Sequence, residues 1–99
     1  MDVVRTWGGK YFGWIEEGGL FARDGRHVGE FRKENVFGEN GHYLGELRDG
    51  RLITSEIKKE THSSVGFWPN HNAVPGPASP QADEAPRDLP VGYEDFPEL

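Results

Sequence analysis

The chain has 99 residues, of which 34% are hydrophobic and 28% charged, with a net charge of −6 and no cysteine. That length suits one small domain with a modest core. The lack of cysteine removes disulfides and thiolate metal sites, and the excess of acid disfavours nucleic acids and anionic membrane surfaces as partners, since both are held by neutralising negative charge.

Residues 1–53 carry a net charge of −1 and residues 54–99 a net charge of −5. All seven prolines lie between Pro69 and Pro97, whereas eleven of fourteen glycines fall at or before Gly50. This division predicts a folded body over residues 1–68 and a Pro-rich acidic tail over 69–99. The opening MDVVRTWGG has neither the basic stretch nor the apolar run of a secretory signal. No segment reaches the roughly 18 apolar residues of a membrane span, so a cytoplasmic location is expected.

A sixteen-residue unit recurs from Val4: VRTWGGKYFGWIEEGG (4–19), LFARDGRHVGEFRKEN (20–35) and VFGENGHYLGELRDGR (36–51). Gly9, Gly25 and Gly41 superpose, as do Gly13, Gly29 and Gly45; the series Val4, Leu20, Val36 and Leu52 opens a fourth, imperfect unit over 52–68. A period this short holds one β-hairpin. Gly8-Gly9, Asp24-Gly25 and Asn40-Gly41 read as two-residue type I′ turns, and Gly18-Gly19, Glu34-Asn35 and Asp49-Gly50 as the links between units. The turn at Asp24-Gly25 predicts Arg23 opposite Arg26, Ala22 opposite His27, Phe21 opposite Val28 and Leu20 opposite Gly29. The same register sets Phe37 opposite Leu44 and Val36 opposite Gly45.

Alternation then assigns Leu20, Val36, Leu52, Ile15, Phe31 and Leu47 to one face, beside Tyr11, His27 and Tyr43. The second face holds Phe21, Phe37, Ile53, Phe12, Val28 and Leu44. Both faces are partly apolar, so something should cover the second. A strand at 64–68, after an insertion over 58–62, is expected to complete a fourth hairpin. Eight strands in four hairpins would close a shallow antiparallel barrel and remove its edges.

The stretch TWGGKYFGWIEEGGLFARDGRHVGEFRKENVFGENGHYLGELRDGRLI, Thr6 to Ile53, resembles the four-fold β-flower family of small bacterial proteins. The resemblance implies an all-β hairpin-repeat barrel similar in outline to tubby-like domains, some of which bind phosphoinositides. This chain lacks their basic cluster, and the resemblance carries over no functional residues.

The four histidines match no common zinc or catalytic spacing, and no cofactor is expected. Glu30 and Glu46 occupy equivalent positions and are expected to pair with neighbouring arginines on a wet surface. Among the aromatics, Trp7, Trp14 and Trp68 are the candidates for lining an open mouth that accepts a protein, peptide or apolar ligand. In the tail, Leu89, Val91, Tyr93 and Phe96 alternate with acids; Tyr93 and Phe96 are the candidates either for docking on the second barrel face or for engaging a partner.

With no Ser-His-acid spacing and no Cys, the expectation is a non-enzymatic binding module. An acidic decoy acting through the tail, and a lipid-binding module by analogy, stand as the alternatives.

Overall fold

Each complete unit contributes one β-hairpin to the barrel: β1 (Asp2–Thr6) with β2 (Tyr11–Glu16), β3 (Gly19–Ala22) with β4 (His27–Arg32), and β5 (Asn35–Phe37) with β6 (Tyr43–Arg48), followed by β7 (Arg51–Ser55). The computed structural model describes residues 2–69, 76–77 and 81–99. Neighbouring strands pair antiparallel in chain order, and β7 returns to β1 through the parallel pairs Arg5↔Arg51 and Thr6↔Leu52. With seven strands in up-and-down order the first and last run the same way, so closure has to be parallel. The result is a closed all-β barrel of seven strands.

The turn chemistry differs from the sequence expectation. Within each hairpin the loop has three residues: Gly25 N–H donates to Ala22 O at 2.8 Å and Ala22 N–H to Arg26 O at 2.9 Å, and the same pair of bonds recurs at Thr6–Lys10 and Gly38–His42. Gly9, Gly25 and Gly41 take φ of +89°, +92° and +84° at the end of these loops, as a type I turn with a closing glycine bulge requires. The two-residue loops lie between units, at Glu17-Gly18, Lys33-Glu34 and Asp49-Gly50. An Asp-Gly or Asn-Gly pair satisfies either geometry, so the sequence locates these turns within the hairpins but mistakes their length.

A second departure cancels the first. Phe21 faces His27 rather than Val28, and Phe37 faces Tyr43 rather than Leu44, whereas Leu20↔Gly29 and Val36↔Gly45 stand as expected. The extra residue is absorbed by a bulge at Phe12, Val28 and Leu44, in the same place in each unit. The bulge turns these three side chains inward, against the Val4, Leu20, Val36 and Leu52 cluster that also receives Ile15, Phe31 and Leu47. Two of the bulge residues' backbone oxygens find other partners: Phe12 O accepts from Arg23 N–H at 2.8 Å, and Leu44 O from the Thr54 hydroxyl at 2.7 Å. Gly13, Gly29 and Gly45 sit opposite Val4, Leu20 and Val36 because a neighbour presses on each; a Cβ at Gly13 would enter the Phe21 carbonyl, and one at Gly45 would lie 2.6 Å from Ile53 O.

The expected fourth hairpin is absent. After β7 the chain forms a short helix, α1 (Glu56–Thr61), capped by the Ser55 hydroxyl accepting from Lys58 N–H at 3.3 Å. Residues 64–68 form no strand; only an isolated bridge, His42↔Ser63, precedes them. The short polar run Lys58-Lys59-Glu60 winds into a helix, with no buried side chain, that turns the chain off the sheet. The eighth strand, β8 (Tyr93–Asp95), comes from far along the chain and pairs antiparallel with Ile53–Ser55. The outer edge of β7 is thus shared, its first half by β1 and its second by β8.

Beyond β8, Phe96 is buried in the inner cluster. Burying a side chain of this size contributes about 2–3 kcal/mol.

Candidate functional site

A groove of roughly 700 Å³ opens at the barrel mouth, where the loops of the first two hairpins face residues 95–99. The three-residue loops hold Lys10, Arg23, Asp24 and Arg26 at its rim, and Phe12 and Phe96 contribute its apolar part. Arg26 is held from two sides, its Nε donating to Asp24 Oδ2 at 2.7 Å and its Nη2 to Leu99 O at 2.6 Å. The backbone and side-chain hydrogen bonds from Arg26 keep the Asp24 carboxyl below its ordinary 3.8. Partial burial raises the Tyr11 phenol above its usual 10.0, with Arg23 and Arg5 acting in the opposite direction.

Acids of the tail line the other side. Asp83 Oδ1 accepts from Tyr11 N–H at 2.8 Å, Asp95 Oδ2 from Gly8 N–H at 3.1 Å, and Glu98 Oε1 lies 3.8 Å from Lys10 Nζ. Both signs of charge therefore meet over a small apolar floor, an arrangement that suits a polar chain better than a purely apolar ligand. Among the described residues no three His, Cys, Asp or Glu side chains come together to hold a metal ion, and no helix is long and apolar enough to cross a membrane.

The aromatic candidates do not converge. Trp7 is buried, its Nε1 donating to Asp88 O at 2.9 Å and its ring covered by the Arg87 guanidinium at 5.2 Å. Trp14 is buried as well, stacked on Phe21 at 6.1 Å, with its Nε1 unpartnered among the described residues. Phe96 belongs to the core, so its expected place on the second face is corrected to the first. Tyr93 lies against Arg48 at 4.7 Å, on the edge strand. Only Trp68 is open to solvent, at 95% exposure. Small all-β cores bury their largest side chains first, and that outweighs a mouth lining for Trp7 and Trp14.

The bulges also move Tyr43 and His27 to the outer face. His27 stacks between Phe21 and Phe67 at 4.7 Å each, and its Nε2 lies 3.0 Å from Glu30 Oε1. Tyr43 donates to Glu46 Oε1 at 3.1 Å and accepts from Ser55 N–H at 3.1 Å. Lys58 Nζ completes this cluster, 3.1 Å from Glu46 Oε1 and 3.0 Å from Asn35 Oδ1. Glu30 and Glu46 therefore pair with a histidine, a tyrosine and a lysine, not with arginines, because the outer face is covered by α1 and the segment after it. His42 bonds Asn40 across its own loop, and His71 lies outside the described residues.

Sequence reasoning missed the groove-lining Lys10, Arg23 and Arg26. Basic residues flanking a turn are ordinary surface composition, and only the arrival of residues 95–99 gathers them into a site.

No curated protein and no solved structure gives a significant match to the chain. The family model for 4-fold beta flower proteins matches residues 1–91, and the chain belongs to that family.

Proposed function

We propose that this β-flower domain is a non-enzymatic binding module that takes an extended, polar segment of a partner protein at the barrel mouth. The observation that carries this reading is the groove in which Lys10, Arg23 and Arg26 face tail carboxylates over Phe12 and Phe96. Further support comes from the rim itself, which already holds extended chain through backbone hydrogen bonds, including Glu84 N–H to Gly9 O at 2.8 Å. The acidic-decoy alternative has less support, because tail acids are engaged by the rest of the chain: Glu84 with Arg51 of β7 at 3.1 Å, Glu94 with Lys59 of α1 at 2.7 Å, and Asp83 and Asp95 with backbone N–H groups of the first hairpin.

A photo-crosslinking residue placed at Lys10, with a second placed at the exposed Ile57 of α1 as control, tests the reading in the cell of origin. A partner captured from Lys10 and not from Ile57 is the expected result. Capture from Ile57 alone moves the site elsewhere.

A further inference from the structure

Two segments of the chain that are not part of the repeats seat themselves on the barrel in the same way. Ser64 N–H donates to Gly41 O at 2.9 Å and Phe67 N–H to Glu39 O at 3.1 Å. At the first hairpin, Glu84 N–H donates to Gly9 O at 2.8 Å and Arg87 N–H to Trp7 O at 3.2 Å. Gly9 and Gly41 are equivalent residues of the repeat, as are Trp7 and Glu39, and the two donors are three residues apart in both segments. The residues between them are small or cyclic: Val65-Gly66 and Ala85-Pro86. The approach is close, since a Cβ on Gly9 would enter the Glu84 carbonyl and one on Gly41 the Ser64 carbonyl.

The middle hairpin has the same loop. Gly25 has φ of +92°, beside +89° for Gly9 and +84° for Gly41, and the turn hydrogen bonds match. Here a Cβ on Gly25 would meet nothing within 4 Å, and among the described residues no donor reaches Arg23 O or Gly25 O.

We infer that the Arg23-Asp24-Gly25 loop is a third, outward-facing copy of this backbone-docking site, and that it takes an extended segment of a partner protein. The segment supplies N–H groups at two positions three residues apart, small residues between them, and an aromatic side chain at the second donor. The aromatic follows from the pairing at the first hairpin, where Trp7 of the loop lies under Arg87 of the seated segment. Arg23 stands in the position of Trp7, so the same cation–π contact forms with the roles exchanged. Main-chain bonds supply most of the affinity and the aromatic supplies selectivity, as in strand addition to a sheet edge. This inference rests on the binding-module reading and names one site and one ligand class within it.

The probe is a peptide with the sequence of residues 62–68, His-Ser-Ser-Val-Gly-Phe-Trp, added to the isotope-labelled full chain and followed by backbone amide shifts. Saturable shifts at Arg23, Gly25 and Arg26 are expected. Methylating the peptide nitrogens of its second serine and its phenylalanine should weaken binding about tenfold or more, because both hydrogen bonds are lost. Gly25→Asn keeps the loop, since asparagine tolerates positive φ, and should abolish the shifts at the middle hairpin.

Shifts confined to Gly9 or Gly41, equal binding by the methylated peptide, or unchanged binding by Gly25→Asn would each overturn the proposal. So would protection of the middle loop by the chain itself, or by a second copy at high concentration, before any peptide is added. Failure here together with capture at Lys10 would leave the broader binding reading standing; failure of both would remove it.

Discussion

Phe96 meets Phe12 edge to face, with ring centroids 5.2 Å apart and planes at 89°. Phe12, Val28 and Leu44 are the bulge residues of the three complete units; the fourth unit offers the exposed Glu60 at that count, and Phe96 arrives from beyond β8 in its stead. The inner layer is thus four-fold in packing although the strand order is not.

Phe96→Ala should therefore behave as a core truncation, costing about 3–5 kcal/mol in urea unfolding. Truncation after residue 91 should cost at least as much, because β8 goes with it. A loss below about 1 kcal/mol, the usual scale for a surface change, would show that Phe96 is not part of the core.

Gly13 and Gly18 lie in the same hairpin pair and should respond differently to substitution. Gly13→Ala drives a methyl into the Phe21 carbonyl, and the expected outcome is a loss of several kcal/mol or failure to fold. Gly18 has open space around it and φ of +79°, so Gly18→Asn should cost about 1 kcal/mol or less, given the tolerance of asparagine for that region. Thermal melts of both variants make the comparison.

Lys58 and Lys59 are neighbours with unequal work. Lys58 serves the buried Glu46 carboxylate, and Lys58→Met should cost about 1–3 kcal/mol by leaving that acceptor short of a partner. Lys59 pairs with Glu94 in the open, and Lys59→Met should cost distinctly less, and less still in high salt. Equal effects in urea titrations would contradict the burial difference.

Burial pushes the Tyr43 phenol well above its ordinary 10.0; the Ser55 hydrogen bond opposes this and the nearby Glu46 carboxylate adds to it. The folded chain keeps this proton where the unfolded chain has lost it. The contribution is therefore whole below pH 10 and falls as pH rises beyond it. Unfolding free energies measured from pH 7 to 11 should drop at the alkaline end in the parent, and drop less in Tyr43→Phe. Parallel curves would contradict the assignment.

Gly29 opposite Leu20 and Gly45 opposite Val36 could be read because glycine and aliphatic recur at a fixed period, and periodicity reports directly on which residues meet. The bulges could not. A three-residue loop and a bulge each shift the register by one in opposite senses, so the pairing at Leu20 is unchanged while Phe12, Val28 and Leu44 change face. The missing fourth hairpin was concealed by Val65-Gly66-Phe67, which imitates the repeat; its backbone instead docks on the third loop. Nothing local to Phe96 announces that it fills a place some 80 residues from Phe12, because that contact depends on closure of the whole ring. The groove followed the same rule, being formed by loops and a tail distant in sequence.

Residues 93–95, and not a fourth hairpin, cover the half of the β7 edge that β1 leaves open. Backbone proton contacts measured by nuclear Overhauser spectroscopy on the labelled chain test it most directly. Cross-strand contacts at Ile53↔Asp95 and Ser55↔Tyr93 are expected. Contacts linking residues 51–55 to 64–68 in an antiparallel ladder, with none to 93–95, would contradict it.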